Sequence, residues 1–409
     1  MARRMTASDA PAPDTAQARA RASLKRGRDG PVRGGNPWIF SNALARIEPK
    51  DAAAGDPIDV IDASGDLIAY GYYNPATTIA VRILGWAGEP TSDAIVRHRL
   101  RNALEWRNRI VPSDTNCYRL VNGEGDGLPG VVIDRYGDVM VVQILTAGAD
   151  RMRGEITAAL SEMLAPRAIV ERSQGAVRKH EGLDDRVGII AGEAVARTIV
   201  CENGIKLEVD LELGQKTGCF LDQRENRARI KGLAKDARVL DLCCYAGGFS
   251  LAAMAGGARE IVAVDTSARA LEWARRNCAL NGFDAAPIQF VHAEAGKFLA
   301  QSDRRFDLVI LDPPPLARSR ADAPRAANLY SALNALALEA VAPGGYLMTF
   351  SCSAHFRGED FVHALRIAQV KSHRRMRLVA RLGPAADHPA MLGHAEGEYL
   401  TGLLLHNPG

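Results

Sequence analysis

From about residue 201 onward the chain alternates short apolar runs with amphipathic stretches, and this alternation limits the possible folds more than any other feature. Residues 238–244, 260–265, 288–293, 306–312, 345–352, 376–382 and 398–405 read as strands. Residues 249–256, 267–281, 295–301, 323–341 and 358–372 read as helices between them. The pattern predicts a parallel sheet with helices on both faces and ligands beyond the C-terminal strand ends. Its centre is 238–251, RVLDLCCYAGGFSL. Val239, Leu240 and Leu242 enter a buried strand, small residues and Gly247-Gly248 turn it, and a helix follows at once. Both glycines are expected to admit a ligand close to the backbone, where a β-carbon would obstruct it. The next unit, EIVAVD, ends in Asp265, about 20 residues on, where an acidic group can bind a ribose hydroxyl pair. The element reads as a nucleoside-binding βαβ unit.

The dinucleotide fingerprint G-x-G-x-x-G is absent, so the turn is not built for a pyrophosphate. Asp241 at the strand end and Ala246-Gly247-Gly248 after it suit a ligand carrying an ammonium and a carboxylate. The methionine part of S-adenosylmethionine (SAM) fits that description.

The other strand ends carry Cys244-Tyr245, Ala293-Glu294, Asp312-Pro313-Pro314 and Ser351-Cys352-Ser353. In FDLVILDPPP the prolines remove backbone donors and stiffen the chain after Asp312, which holds an acid and carbonyls against a planar ligand. In YLMTFSCS, Cys352 is expected to face Asp312. A cytosine ring carbon cannot attack a methyl sulfonium unaided, but a thiolate adding to carbon 6 makes carbon 5 enamine-like. One reactive cysteine at the ligand edge meets that need, and Cys352 is the candidate. Cys243 and Cys244 are expected to pack or to touch the cofactor.

At 409 residues the chain is too long for one ordinary core. The expected organisation is a disordered tail over 1–22, a small β-barrel-like module over 23–88, an α+β domain over 92–200 and the α/β domain over 201–409. Trp38-Ile39-Phe40 is expected in the barrel core. The central domain is expected as scaffold, with Asn122, Glu124 and Asp126 lining a groove. IKLEVDLEL alternates strictly and predicts a strand or hairpin arm with one face buried. The seven cysteines form no CxxC pair, which argues against zinc and for a reducing cytosol. His388, His394 and Glu398 are expected in loop and surface roles, with no metal. No apolar run is long enough for a membrane, and no secretory segment opens the chain. Net charge is +3, yet residues 1–50 hold ten Lys/Arg against four Asp/Glu, so that segment is +6. A basic end suggests a polyanion partner.

Taken together, these motifs resemble the bacterial large-subunit rRNA cytosine methyltransferases that act on carbon 5, the RlmI-like family. GNPWIFSNAL and GDPIDVIDASGDLIAYGYYNPATTIAVRIL resemble its N-terminal PUA domain. YRLVNGEGDGLPGVVIDRYGD resembles its central domain; ELGQKTGCFLDQRENR, LDLCCYAGGFS, VDTSARALEWARRN, LDPP, FSCS and ADHP resemble its catalytic domain. The resemblance covers nearly everything after residue 22. It implies an α/β Rossmann-like class I SAM methyltransferase domain behind a PUA-like domain and a central α+β domain. It also implies SAM as donor, 23S ribosomal RNA or the large subunit as partner, RNA binding by 23–88 and a cytoplasmic location; a homodimer stays open. The site it implies has Cys352 and Asp312 as catalytic residues. Phe220, Gln223, Arg224, Asp241, Tyr245, Gly247, Gly248, Asp265, Glu294 and Asp312 then surround the cofactor. Pro315 stands where the family usually has lysine, and Cys244 and Ala246 where it commonly has Ser/Thr. Two other readings remain: a methyltransferase of another RNA base such as guanine, which needs no nucleophile, and a non-catalytic SAM-retaining assembly factor.

Overall fold

The computed structural model describes residues 19–89, 94–211, 217–283, 287–317, 319–353 and 355–409. Most of the expected N-terminal tail and the expected start of the central domain at 92 lie outside the described residues. Residues 20–22, expected in that tail, instead open the first strand.

Strands β1 (Ala20–Leu24), β2 (Trp38–Phe40), β3 (Leu44–Glu48), β4 (Pro57–Ile61), β5 (Leu67–Tyr73) and β6 (Ile79–Trp86) form one sheet. Their order is β2-β6-β5-β4-β1-β3. Alternating Ile58, Val60, Val81 and Ile83 close around its core. Of Trp38-Ile39-Phe40 only Ile39 joins that core; Phe40 is exposed, and Trp38 donates its Nε1–H to Glu124 at 2.8 Å. Trp38 is thus a joint to the next sheet.

That sheet holds β7 (Cys117–Asn122), β8 (Val131–Tyr136), β9 (Val139–Ile144), β10 (Ala168–Ser173) and β11 (Arg186–Gly192), in the order β11-β10-β9-β8-β7. Leu120, Ile133, Met140 and Val142 face the helices Ile95–Ile110 and Arg153–Leu164. Cys117, Tyr136, Val139 and Val141 point the other way and share a core with the last layer. The hairpin β12 (Arg197–Glu202) and β13 (Ile205–Asp210) joins this shared core through Val200, Leu207 and Val209.

The last layer is a seven-stranded sheet of β14 (Arg238–Leu242), β15 (Glu260–Asp265), β16 (Ile288–His292), β17 (Phe306–Leu311), β18 (Val341–Ser351), β19 (Arg377–Leu382) and β20 (Thr401–His406). Its order is β16-β15-β14-β17-β18-β20-β19. The first five are parallel, as expected for runs buried on both faces. The expectation of a wholly parallel sheet is corrected at β20, which is antiparallel to both β18 and β19. β19 ends at the edge where Cys352 lies, and the connection 383–400 stays there, so β20 has to run back. Among the described residues no helix is long and apolar enough to cross a membrane.

Candidate active site

Fully buried Val239, Leu240 and Leu242 hold β14 in the middle of the sheet, and the chain then turns sharply. Cys243, Tyr245 and Gly247 have φ of 63°, 49° and 81°, so three residues in five are left-handed. For the two that are not glycine this costs about 1–3 kcal/mol each, a strain typical of functional sites. Both glycines also make room for neighbouring protein, and Gly248 lines the cavity beside this turn. A β-carbon on Gly247 would lie 3.0 Å from the Ala274 β-carbon, and one on Gly248 would lie 3.1 Å from Arg227 Cδ. Asp265 ends the adjacent strand and braces the turn. Its Oδ2 accepts from the Tyr245 N–H and its Oδ1 from the Ser267 N–H, both at 2.8 Å. Each carboxylate oxygen can accept a second bond, so the fixed carboxylate suits a pair of hydroxyls.

This turn forms one wall of a cavity of about 760 Å³, the size of a small-ligand site. Phe220, Tyr245 and Trp273 follow one another along it edge to face, with centroids 5.5 Å apart at each step. Trp273 and Asn277 lie one helical turn apart on Ala268–Leu280, and sequence reasoning missed both. Trp273 donates to the Glu208 carbonyl at 2.9 Å; Asn277 donates to the Ala246 carbonyl at 3.1 Å and accepts from the Glu208 N–H at 2.8 Å. These bonds seat the β13 edge against the turn. The signal was their i, i+4 spacing in ALEWARRN, which puts both on one helix face.

The opposite wall comes from β17, β18 and distant loops. Asp312 Oδ2 accepts from Gln223 Nε2 at 3.1 Å. Gln223 Oε1 in turn accepts from Asn226 Nδ2 at 2.6 Å, and Asn226 also donates to the Gly383 carbonyl at 3.0 Å. Cys352 follows the neighbouring parallel strand, and its Sγ–H donates to the Pro313 carbonyl at 3.6 Å. The serines beside it hold the frame. Ser353 Oγ accepts from the Leu316 and Ala317 N–H groups at 3.1 and 3.2 Å, and Ser351 Oγ donates to the Phe356 carbonyl at 2.9 Å. Cys219 and Cys243 also line the cavity, but burial pushes each thiol up to about 12, helped by Glu202 at Cys219 and by Asp265 and Asp312 at Cys243. Both stay protonated near neutral pH. Tyr399, also missed in the sequence, donates its hydroxyl to Asp222 Oδ2 at 2.8 Å.

Phe220, Gln223, Tyr245, Gly248, Asp265, Asp312 and Cys352 therefore face one cavity. Four other residues expected at the cofactor do not line it. Arg224 is buried on Asp387, with Nη1 2.8 Å from Oδ2, because the neighbouring loop supplies a carboxylate where the sequence suggested a ligand. Asp241 sits beneath the turn and accepts from Ser250 Oγ at 2.6 Å; burial pushes its carboxyl up to about 6. Gly247 packs against the helix as described. Glu294 turns outward to Lys297 at 3.4 Å, leaving Ala293 and Ala295 on the cavity wall. The loop reading of His388 and His394 is corrected in one respect: both are buried, His388 beside Asp387 and His394 with its ring 4.3 Å from that of Trp38. Glu124 and Asp126 are likewise engaged, with Trp38 and Arg107. No group of His, Cys, Asp and Glu among the described residues could hold a metal ion.

Residues 128–396 match the S-adenosylmethionine-dependent methyltransferase family, and residues 23–86 match a PUA-like domain. The chain is 39% identical over 386 residues to the ribosomal RNA large subunit methyltransferase I of Alteromonas mediterranea, covering 93% of this chain and 97% of that one. It is 38% identical over 388 residues to the protein of the same name from Klebsiella pneumoniae, covering 93% and 96%. The chain belongs to this methyltransferase family. The crystal structure of the methyltransferase SMU.776 complexed with SAH superposes with a TM-score of 0.81 at 21% identity, covering 94% of this chain and 99% of that one. A Streptococcus mutans methyltransferase superposes at 0.79 and 21%, with the same coverage. The seven-stranded layer is thus a Rossmann-like class I methyltransferase fold, and the cofactor of the family is SAM.

Proposed function

We propose that this protein methylates carbon 5 of a cytosine in 23S ribosomal RNA through a transient bond from Cys352 to carbon 6. The relatives' names supply the large-subunit RNA. The cytosine and the covalent bond rest on one observation. Cys352 and Asp312 follow adjacent parallel strands and face one cavity, with the Cys352 thiol bonded to the carbonyl next to Asp312.

The cavity fits the cofactor by the chemistry of its walls. Asp265 would hold the ribose hydroxyls, the 243–248 turn the amino-acid end, and the backbone at Ala293–Ala295 the adenine edge. Bound SAM supplies an electrophilic methyl group on a sulfonium. Cys352 adds as thiolate to carbon 6, which gives carbon 5 the nucleophilicity of an enamine. Asp312, held by Gln223, orients the polar edge of the ring. Carbon 5 would then take the methyl group from the sulfonium, and passage of the carbon-5 proton to water would expel the thiolate and restore Cys352. We place the reaction in the cytoplasm, on naked rRNA or on the large subunit, with residues 23–88 docking RNA.

RNA carrying 5-fluorocytidine at the target tests the mechanism, because fluorine cannot leave as a proton does. The wild type should form a SAM-dependent covalent complex, and Cys352→Ala should form none. A Cys352→Ala variant that still methylates at the normal rate would make the non-covalent chemistry of a guanine-type enzyme the better reading.

A further inference from the structure

Arg172 is buried, with 6% of its surface exposed, yet its Nε and Nη1 have no hydrogen-bond partner. The other buried arginines among the described residues each hold a carboxylate. Arg82 is paired with Glu181, Arg107 with Asp126, Arg178 with Asp150, Arg224 with Asp387 and Arg227 with Glu202. No carboxylate lies within ion-pair distance of Arg172 among the described residues. A buried guanidinium without counter-charge is unfavourable, so its retention calls for a partner supplied from outside.

Strand register shows where that partner would lie. In β10, Ala168, Val170 and Arg172 share one face, and the first two belong to the core shared with the catalytic layer. Arg172 pairs with Val187 of β11, and its carbonyl accepts from Gln143 Nε2 of β9 at 3.3 Å. Gln143 pairs with Val132 of β8, which pairs with Asn122 of β7. The row Val187, Arg172, Gln143, Val132, Asn122 therefore crosses the whole central sheet on the catalytic side. At one end Val187 is 62% exposed, with Ile189 beside it at 45%. At the other end Asn122 Nδ2 donates to the Pro389 carbonyl at 2.9 Å. One row deeper, Asp134 Oδ2 accepts from Thr217 Oγ1 at 2.5 Å, and the chain runs directly from Thr217 into Gly218, Cys219 and Phe220 on the cavity wall. The row thus runs from the free edge of the sheet to Asn122, next to the row whose Asp134 holds the segment that enters the cavity wall.

We propose that Arg172 anchors a phosphate-binding subsite on this face, engaged by the backbone of the RNA strand whose target base enters the cavity. The planar guanidinium suits a phosphodiester, and the exposed Val187 and Ile189 give the adjoining sugar and base an apolar shelf. The proposal rests on RNA as the methyl acceptor, and it assigns a substrate contact to a domain that the sequence presents as scaffold.

Filter binding of the full-length protein to transcribed 23S rRNA, over a range of salt, tests it. Arg172→Met should weaken binding about tenfold and lower the log–log salt slope by about one, as the loss of one phosphate contact requires. Arg172→Lys should keep the slope. Val187→Glu places a carboxylate beside Arg172 at an exposed position, so it should weaken RNA binding as Arg172→Met does without lowering the melting temperature. SAM affinity by calorimetry should not change in any of the three. Normal affinity and slope in Val187→Glu would overturn the subsite, and so would an Arg172→Met variant that melts early yet binds normally once folded. Wild type that fails to bind this RNA would instead remove the RNA reading of the whole enzyme, and the subsite with it.

Discussion

The two walls of the cavity are built differently. On the side proposed for the cofactor most polar ligand-facing groups sit on one contiguous turn and on the next strand end, with Phe220 and Trp273 packed along it, and backbone N–H groups from Tyr245 and Ser267 fix Asp265. On the acceptor side the contacts are between side chains far apart in sequence: Gln223 with Asp312, Asp222 with Tyr399, Arg224 with Asp387. A wall made from backbone tolerates change in most of its side chains. A wall made from side-chain bonds depends on each one, because a lost partner leaves a buried polar group unpaired. Substitutions should therefore separate binding of the donor from reaction at the acceptor.

The largest separation is expected at Cys352. Cys352→Ala removes one small side chain between two serines that keep the local frame. Turnover should fall below detection while calorimetry gives wild-type SAM affinity. Loss of both together would mean that the walls are not independent.

Next in size is the clasp behind the acceptor wall. Asp387 Oδ2 accepts from Arg224 Nη1 and from the Arg119 N–H, both at 2.8 Å, and its carbonyl accepts from Arg107 at 2.7 Å. Burial alone would raise its carboxyl pKa, but His388 and Arg224 together hold it well below the usual range. A carboxyl depressed in the folded state adds stability above its unfolded pKa, near 4, and loses that stability as pH falls. Asp387→Asn should cost about 3–5 kcal/mol in urea unfolding at pH 7, the typical result of breaking a buried pair. Its deficit against wild type should shrink below about pH 4. An unchanged deficit at low pH would assign the loss to packing instead of charge.

The same division explains what could be read from the sequence. The turn at 238–251, Asp265, the DPPP segment and Cys352 were legible because each is a strand end with its own local pattern. Asp241 and Gly247 were placed at the right turn, but their neighbours Ser250 and Ala274 come from helices whose packing the pattern does not specify. Arg224 was read as a ligand contact because its partner Asp387 is 163 residues away. Tyr399 was missed for the same reason, since Asp222 lies 177 residues before it. The antiparallel β20 was hidden too: strand periodicity carries no direction.

On the cofactor wall, Asp265→Ala should weaken SAM binding by about 1.5–3 kcal/mol, the range for hydrogen bonds to a charged group. The loss is bounded because the turn keeps its own backbone geometry. RNA binding should stay at the wild-type level. Unchanged SAM affinity in calorimetry would remove the ribose assignment.

The effect beneath that wall, at Asp241, shows only as a change with pH, and its sign is opposite to that of Asp387. Burial raises the Asp241 carboxyl to about 6, only partly offset by the bonds from Ser250. The unfolded group titrates near 4, so between about pH 4 and pH 6 the unfolded chain gives up a proton that the folded chain keeps. Wild type therefore loses stability at this site as pH rises through that window, by at most roughly 3 kcal/mol, and nothing further above it. Asp241→Asn cannot ionise and should not follow that slope. Its stability relative to wild type should climb from pH 4 to about pH 6 and then level off, while Asp387→Asn falls further behind wild type as pH rises to about 4. Urea midpoints for the two variants, read at matched pH against wild type, check both signs in one series. A difference for Asp241→Asn that does not change between pH 4 and pH 7 would mean that its carboxyl titrates normally, and the turn would then rest on an ionised acid rather than a buried neutral one.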